Sequence, residues 1–402
     1  MIAETIELAI HDVAYGGRGV GRHGNLAVFV PGTLPGETVR ARVTGRHRRH
    51  ADARLLEILN ASPDRVTPGC PLAEAELSPS SRCAGCCYRH AGYPAELRFK
   101  QKQLTDLLTR IGRVVEPDIV HPVASPLVSG YRNKITLHVA RRAGATLLGY
   151  VSADNRTLVD VDRCPLAHAE LNSALAALRA DPPPEVRHAR SLTLRYTEPD
   201  GPIHWFDRPA GQARLTEHTS LGAIDVPRNC FFQVNPGVME LLLQELLRHV
   251  RDIAPECVVD LYCGVGVFAL AAAMHGLSSV CGIDSNTRAI RAARRNAKTR
   301  GLDVPFFADK AAKALGELAP HIDADRTVVI VDPPRKGLDP DVIAALGAVR
   351  PAHLLYVSCA PDTLARDIAR LAAPGYRLVR TKLFDMFPRT AAFESVSLVC
   401  RV

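Results

Sequence analysis

The sequence predicts an α/β protein in three parts: a small all-β barrel, a β-rich middle and a doubly wound sheet with flanking helices. Three observations lead there. Short runs with alternating apolar positions, cut by glycine and proline turns, fill the first sixty residues. A stretch rich in Pro, Ser and Cys then breaks the pattern and gives way to further β-like runs. From about residue 226, strands and helices alternate as in βαβ units. The expected boundaries are 1–60, 61–225 and 226–402, and 402 residues accommodate three such units.

The first unit is expected to hold about five strands, among them TIELAIHDV, NLAVFVPG, ETVRARVTG and ADARLLEIL. Arg40, Arg42, Arg46, Arg48, Arg49 and Arg54 crowd along its fourth and fifth strands. An arginine edge on a small barrel suits a nucleic-acid backbone, although a solvated hairpin tip would look similar. Residues 94–112 have helical spacing, with Leu97, Leu104, Leu107, Leu108 and Ile111 on one side. Despite its position, this helix is a candidate to pack on the C-terminal domain. The runs YRNKITLHVARR, ATLLGYVS and SLTLRYTE then read as strands, interrupted by the helix AHAELNSALAALRA.

Charged residues at 23% exclude wholesale disorder, and a net charge of +8 is compatible with a polyanionic partner. The start MIAETIELAI is acidic and alternating, unlike a signal peptide. The most apolar run, Val258 to Met274, is broken by Asp260 and too short for a bilayer. A cytoplasmic location without membrane contact is therefore expected. In that setting eleven cysteines point to metal binding or chemistry rather than disulfides.

The first chemical signal is Asp260-Leu-Tyr262-Cys-Gly264-Val-Gly266 at a strand end. Glycines there let a backbone approach a bound cofactor, and Asp284 ends the next strand, where it can accept from ribose hydroxyls. Gly264, Gly266 and Ala269 satisfy a loose dinucleotide pattern. An acid four residues before the first glycine suits S-adenosylmethionine better, and both cofactors stay open on the loop alone. The second signal is Asp332-Pro-Pro-Arg335, followed by Tyr356-Val-Ser358-Cys359 at the end of the next strand. Arginine in fourth place argues against the DPP-aromatic chemistry of amino-group methylation. A cysteine facing the same crevice is a candidate nucleophile, because a thiolate adds readily to electrophilic carbon.

Asp332-Pro-Pro-Arg335-Lys-Gly337, Leu355-Tyr-Val-Ser-Cys359 with Thr363, and Phe384-Asp-Met-Phe-Pro-Arg-Thr-Ala-Ala-Phe-Glu394 together resemble the signature of the RNA uracil-C5 methyltransferase family. Phe232-Gln233-Val-Asn235 matches as well, and the resemblance spans essentially the whole chain. It is closest to the bacterial 23S rRNA enzymes that carry a TRAM domain and an iron–sulfur cluster. It implies a class I, Rossmann-like methyltransferase domain, an N-terminal TRAM-like OB-fold and S-adenosylmethionine as donor. By the same resemblance Cys359 is the nucleophile and Glu394 the proton acceptor, while Gln233, Tyr262, Asp284 and Asp332 hold the donor or orient the pyrimidine. The chain departs from the family where Ala360 stands for Asn, Ala392 for His, Arg389 for His, Gln or Tyr, and Val267 for Asn.

Cys70, the pair Cys83-x-x-Cys86 and Cys164 remain. Four thiolates satisfy either a [4Fe–4S] cluster or a structural zinc ion, and the spacing leaves both open. Cys87 competes with Cys86 for the third place. The resemblance implies the cluster, in a structural role. The expected partner is RNA, rRNA ahead of tRNA, bound by a monomer. The alternatives are a tRNA T-loop uridine methyltransferase and a non-catalytic RNA-binding protein whose site has eroded at Ala360 and Ala392, with a nicotinamide oxidoreductase behind both.

Overall fold

A computed structural model describes residues 4–73, 78–142, 145–207 and 214–402 of the chain. Strands β1 (Thr5–Ala14), β2 (Arg18–His23), β3 (Leu26–Pro31), β4 (Thr38–Arg46) and β5 (His50–Asn60) close into a barrel in the order β1-β2-β3-β5-β4. Period-two alternation turns Ile6, Leu8 and Ile10 of β1 inward against Val28, Val30 and Val39. Closure leaves no strand edge open, which is how a unit this small keeps its backbone paired.

Helix α1 (Tyr93–Arg110) and strand β6 (Ile119–Val123) follow. The middle sheet comprises β7 (Lys134–Arg142), β8 (Ala145–Val151), β9 (Leu158–Asp160), β10 (Ser191–Thr197) and β11 (Gly201–Phe206), in the order β11-β10-β7-β8-β9. Helix α2 (Ala169–Ala180) buries Leu171 and Leu175 in the core of that sheet. The hairpin β12 (Arg214–Thr219) and β13 (Gly222–Pro227) leads to α3 (Pro236–Ile253).

The C-terminal unit continues with β14 (Cys257–Leu261), α4 (Val267–Met274), β15 (Ser279–Asp284), α5 (Thr287–Thr299), β16 (Phe306–Ala308) and α6 (Ala311–Leu318). It ends with β17 (Thr327–Val331), α7 (Pro340–Val349), β18 (His353–Ser358), α8 (Pro361–Leu371), β19 (Tyr376–Phe384) and β20 (Glu394–Arg401). The sheet order is β16-β15-β14-β17-β18-β20-β19-β6, with β14 to β18 parallel and β20 antiparallel to both neighbours. Both faces are covered, so the central strands are mostly apolar on both sides, with Asp260 and Ser358 among the few polar residues they bury. Val258 enters one core while its neighbours Cys257 and Val259 enter the other.

The sheet recruits more chain than the pattern beyond residue 226 indicates. β6 pairs parallel with β19 as its last strand, and α1 buries Leu104 and Leu108 in the same core as β14 and β17. The hairpin β12–β13 places Leu221, Ile224 and Val226 in the core on the opposite face. Alternation shows that a strand has a buried side but not which sheet receives it. Helix α1 also differs in its buried face, which is Ala95, Glu96, Lys100, Gln103, Leu104 and Leu108, while Ile111 is exposed. Three of those six are polar, so an apolar tally places the face wrongly.

Candidate active site

The crevice lies at the carboxyl ends of β14, β15, β17 and β18, where ligands of open α/β sheets bind. After β14 the chain turns sharply, with Tyr262 held at φ +66°, a strained value for a bulky side chain. Gly266 caps α4 at φ +92°, and a Cβ there would come within 2.8 Å of the Phe306 ring. Asp284 accepts from the backbone N–H of Gly264 at 3.0 Å and of Asn286 at 2.7 Å, which pins the turn to β15. Asp260 is fully buried; its Oδ2 accepts from Ala269 N–H at 3.0 Å and its Oδ1 has no partner. Burial, with Asp284 nearby, pushes Asp332 up to about 7. These carboxylates repel one another in a dry crevice. Such a site disfavours the pyrophosphate of a dinucleotide and fits a cationic donor such as S-adenosylmethionine.

The expected nucleophile and proton acceptor meet through strand register. β18 and β20 pair antiparallel with Ser358 opposite Ser395, so Cys359, one step past Ser358, comes beside Glu394, one step before Ser395. Cys359 is half-buried, and burial, Glu394 and Asp332 push its thiol up to about 11 while the Arg335 guanidinium pulls it down. Glu394 is 2% exposed and held well above the usual carboxylate range by burial and by Asp332. Arg335 and a hydrogen bond from Gln233 act the other way and support its charged form. Glu394 Oε2 and Gln233 Oε1 are buried without a partner, so their capacity to accept is unspent within the protein. All six crevice residues singled out from the sequence therefore line one group of strand ends and their connections.

The profile of the family described as tRNA (Uracil-5-)-methyltransferase matches residues 223–402, and that of the TRAM domain matches residues 1–56. An RNA methyltransferase of Thermosynechococcus vestitus is 33% identical over 98% of both chains. One from Gloeobacter violaceus is 32% identical over 99% of this chain and 97% of its own. The chain belongs to the RNA uracil-C5 methyltransferase family. A Pyrococcus abyssi tRNA (uracil-54, C5)-methyltransferase, solved with S-adenosyl-L-homocysteine, shares its fold at a TM-score of 0.72 and 24% identity, covering 98% of this chain and all of that one.

Within this methyltransferase, the site is shaped by contacts that carry no sequence signal, although Asn235, Asp385 and Arg389 stand in the motifs quoted above. Lys100 Nζ is buried and donates to Glu96 at 2.8 Å, to Asp385 at 2.7 Å and to the Phe387 carbonyl at 3.3 Å. Glu96 in turn accepts from Arg389 N–H at 2.7 Å. This ion cluster clamps the loop between β19 and β20, and hence the start of the strand that carries Glu394, onto α1. Asn235 caps α3 and donates to Ser125 and to the Met386 carbonyl, so its part is to hold the same loop. Tyr15, in the turn after β1, is half-buried near Cys359, Arg335 and Asp362, which brings the barrel to the mouth of the crevice.

The departures from the family pattern are local. Ala360 is the N-cap of α8 and offers no side-chain acceptor. Ala392 N–H is held by Thr390 Oγ1 at 3.2 Å. Arg389, at φ +70°, donates to the Ala91 carbonyl, and its own carbonyl accepts from Cys87 N–H at 2.9 Å and Tyr88 N–H at 3.1 Å. Its side chain is thus a brace between the catalytic loop and the cysteine loop.

Cys70, Cys83, Cys86 and Cys164 all line one cavity of about 280 Å³. Cys87 is not among its lining residues: it packs beneath Gly17, where an added Cβ would lie 2.7 Å from its Sγ, so it does not compete with Cys86. Arg89 borders the cavity, buried, with Nε and Nη2 lacking partners, and Arg132 lies beside it. Four thiols facing unsatisfied guanidinium donors fit a group that is anionic once its cysteines are ionised.

Proposed function

We propose that the chain methylates C5 of a uridine in 23S rRNA, using S-adenosylmethionine and a covalent bond between Cys359 Sγ and uracil C6. The observation that carries this reading is the β18–β20 register, which joins Cys359 to Glu394 at the end of the donor crevice. Uracil C5 is a poor nucleophile. Addition of the Cys359 thiolate to C6 makes the ring an enolate, with its charge at C5 and O4. Bound against Tyr262, Asp284 and Asp332, S-adenosylmethionine supplies the electrophilic methyl group that C5 takes up. Glu394 then accepts the C5 proton; the electrons of that C–H bond form the C5–C6 double bond and the thiolate leaves. Burial makes Glu394 a strong proton acceptor, and Gln233 and Arg335 keep its ionised form accessible. The uridine has to leave its stack for Cys359 to reach one face of the ring and the methyl group the other.

The four cavity thiolates are proposed to hold a [4Fe–4S] cluster. Among the described residues, no three of these thiols have sulfurs all within 4.8 Å of one another. A zinc tetrahedron with bonds of about 2.3 Å brings all four sulfurs to within about 3.8 Å of each other, so the wider set favours the larger cluster. The cluster supplies a structural cross-link, and the methyl chemistry needs no electron from it. The enzyme is proposed to act as a monomer in the cytoplasm.

Nucleoside mass spectrometry of separated rRNA and tRNA, from cells with and without the gene, tests the reading. Loss of 5-methyluridine from 23S rRNA alone is expected. Loss from tRNA alone would move the substrate to tRNA, the second reading, which the family's description favours. No loss in either, without a redundant enzyme, would sink both.

A further inference from the structure

The arginine edge of the barrel divides in the structure into a neutralised part and an open part. Arg40 is committed to Glu7 and Glu57, and Arg46 to Glu4. Arg42 and Arg54 instead stand directly opposite each other across β4 and β5, and among the described residues neither has a charged partner. Both line a cleft of about 410 Å³ between the barrel and the cysteine loop, whose far wall is Pro79 and Arg82. Phe29 and Arg18 complete the barrel side, with the guanidinium 4.5 Å from the ring centre. Asp52 is the one carboxylate on the lining, and it is already engaged by Arg18 at 3.0 Å and His47 at 3.1 Å.

Four guanidinium groups therefore share a cleft with a single occupied acid. Like charges directly opposed across strands cost stability, and Arg82 faces them half-buried. Uncompensated charge of this density is relieved by a multiply charged anion. A groove of cations beside an aromatic ring suits a single strand of phosphodiesters and bases.

We propose that this cleft, apart from the methyl-transfer crevice, clamps the phosphodiester backbone of the RNA, and that ligation of the cysteines sets its far wall. The proposal rests on the RNA-methylation reading and deepens it. Arg82 immediately precedes Cys83, and apart from ligation their segment is held by backbone bonds: Arg82 N–H to the Ser78 carbonyl at 3.1 Å, Ala153 N–H to the Arg82 carbonyl at 2.8 Å, Cys83 N–H to the Leu72 carbonyl at 2.8 Å and Ala84 N–H to the Val151 carbonyl at 3.4 Å. Ligation at Cys83 anchors Arg82 across from Arg42 and Arg54; loss of ligation releases it and opens the clamp.

The test is the salt dependence of affinity for a fluorescent oligouridylate of about 20 nucleotides, using the full chain between about 50 and 200 mM KCl. At about 0.7 in slope per phosphate contact on a single strand, the double variant R42A/R54A is expected to lose about 1.4 from the slope and R82A about 0.7. R42K/R54K should keep the wild-type slope, and R40A, whose guanidinium is already paired, should change it little. Chelation of the metal should reduce the wild-type slope as much as R82A does, and should do nothing further to R82A. An unchanged slope in R42A/R54A overturns the clamp, and a chelated wild type with its full slope overturns the link to the cysteines. Covalent adduct formation with 5-fluorouridine RNA, whose C5 fluorine cannot leave as a proton does, is read in parallel. Normal slope losses without any adduct would defeat the methylation reading alone; adducts with unaltered slopes would defeat the clamp alone.

Discussion

The methyl-transfer crevice and the cysteine cavity are both lined by polar atoms that find no partner within the protein, but of opposite kinds. In the crevice they are acceptors: Asp260 Oδ1, Gln233 Oε1 and Glu394 Oε2. In the cavity they include the donors Arg89 Nε and Nη2. Buried polar groups left unsatisfied cost about 1–3 kcal/mol each, so each set marks the charge of what the place receives. The crevice is built for a cation, as a sulfonium donor is. The cavity suits an anion, as the proposed thiolate-bound cluster would be.

The sharpest break in this comparison comes from the two residues proposed to do chemistry in the crevice. C359A should abolish both turnover and the covalent RNA adduct. E394Q should still form the adduct but fail to release it, so a shifted band should persist on denaturing electrophoresis. Full activity in C359A would end the covalent mechanism, and free turnover in E394Q would remove Glu394 from the proton transfer.

Next in size is the effect of the crevice's negative charge. Asp332 titrates near 7 in the donor-free fold, against about 4 in an unfolded chain, so it favours the folded state while protonated. That contribution is present in acid and is lost as pH rises through about 7. D332N should therefore melt above wild type at about pH 8, the two should converge as pH falls through the window from about 7 to about 4, and turnover should fall at least about 100-fold. A D332N protein that melts lower at pH 8 would show that the carboxylate is not held at a cost.

Much of the crevice is legible in the sequence because the sheet gathers strand ends, and each end is a contiguous motif. Asp260 to Gly266, Asp332 to Arg335 and Tyr356 to Cys359 each carry their chemistry within a few residues. The supports are not legible, because they join distant segments. Lys100 and Asp385 lie 285 residues apart, and nothing in KQKQ or FDMF announces an ion pair. Strand β6 has no distinct pattern in the sequence, and so short a run names no partner, so its pairing with β19 is not legible. The barrel was readable as five strands, whereas the division of its arginines into paired and unpaired sets depends on which acids the closure brings near.

The cavity supplies the third test. C86S should lose most of the iron, from about four atoms per chain, while C87S should keep it, because Cys86 lines the cavity and Cys87 does not. Equal loss in both would mean that the loop is rearranged when metal binds. Stoichiometric zinc without iron would keep the cavity as the place for an anionic metal–thiolate group but replace its occupant.

The smallest effect concerns Ala360, next to the nucleophile, and whether its lost polar side chain disarms the site or only loosens it. Ala360 has φ −135° and ψ 92° and starts α8 with Pro361 at the first helical position. An N-cap asparagine accepts from a backbone N–H in the first turn, whereas alanine leaves that donor to solvent or to nothing. Here the turn is held by Thr363 Oγ1 on the Ala360 carbonyl and by Ser358 Oγ, which accepts from Ala360 N–H at 3.2 Å and donates to its carbonyl at 3.1 Å. Those bonds position the backbone beside Cys359 without help from a residue 360 side chain. A360N is therefore expected to add about 1 kcal/mol of stability, about 2–4 °C in melting temperature, and to change turnover less than twofold. A gain in turnover of about tenfold or more would mean that the alanine has weakened catalysis. A loss of stability would mean that this position, only 8% exposed, has no room for the larger side chain and that alanine is there for packing.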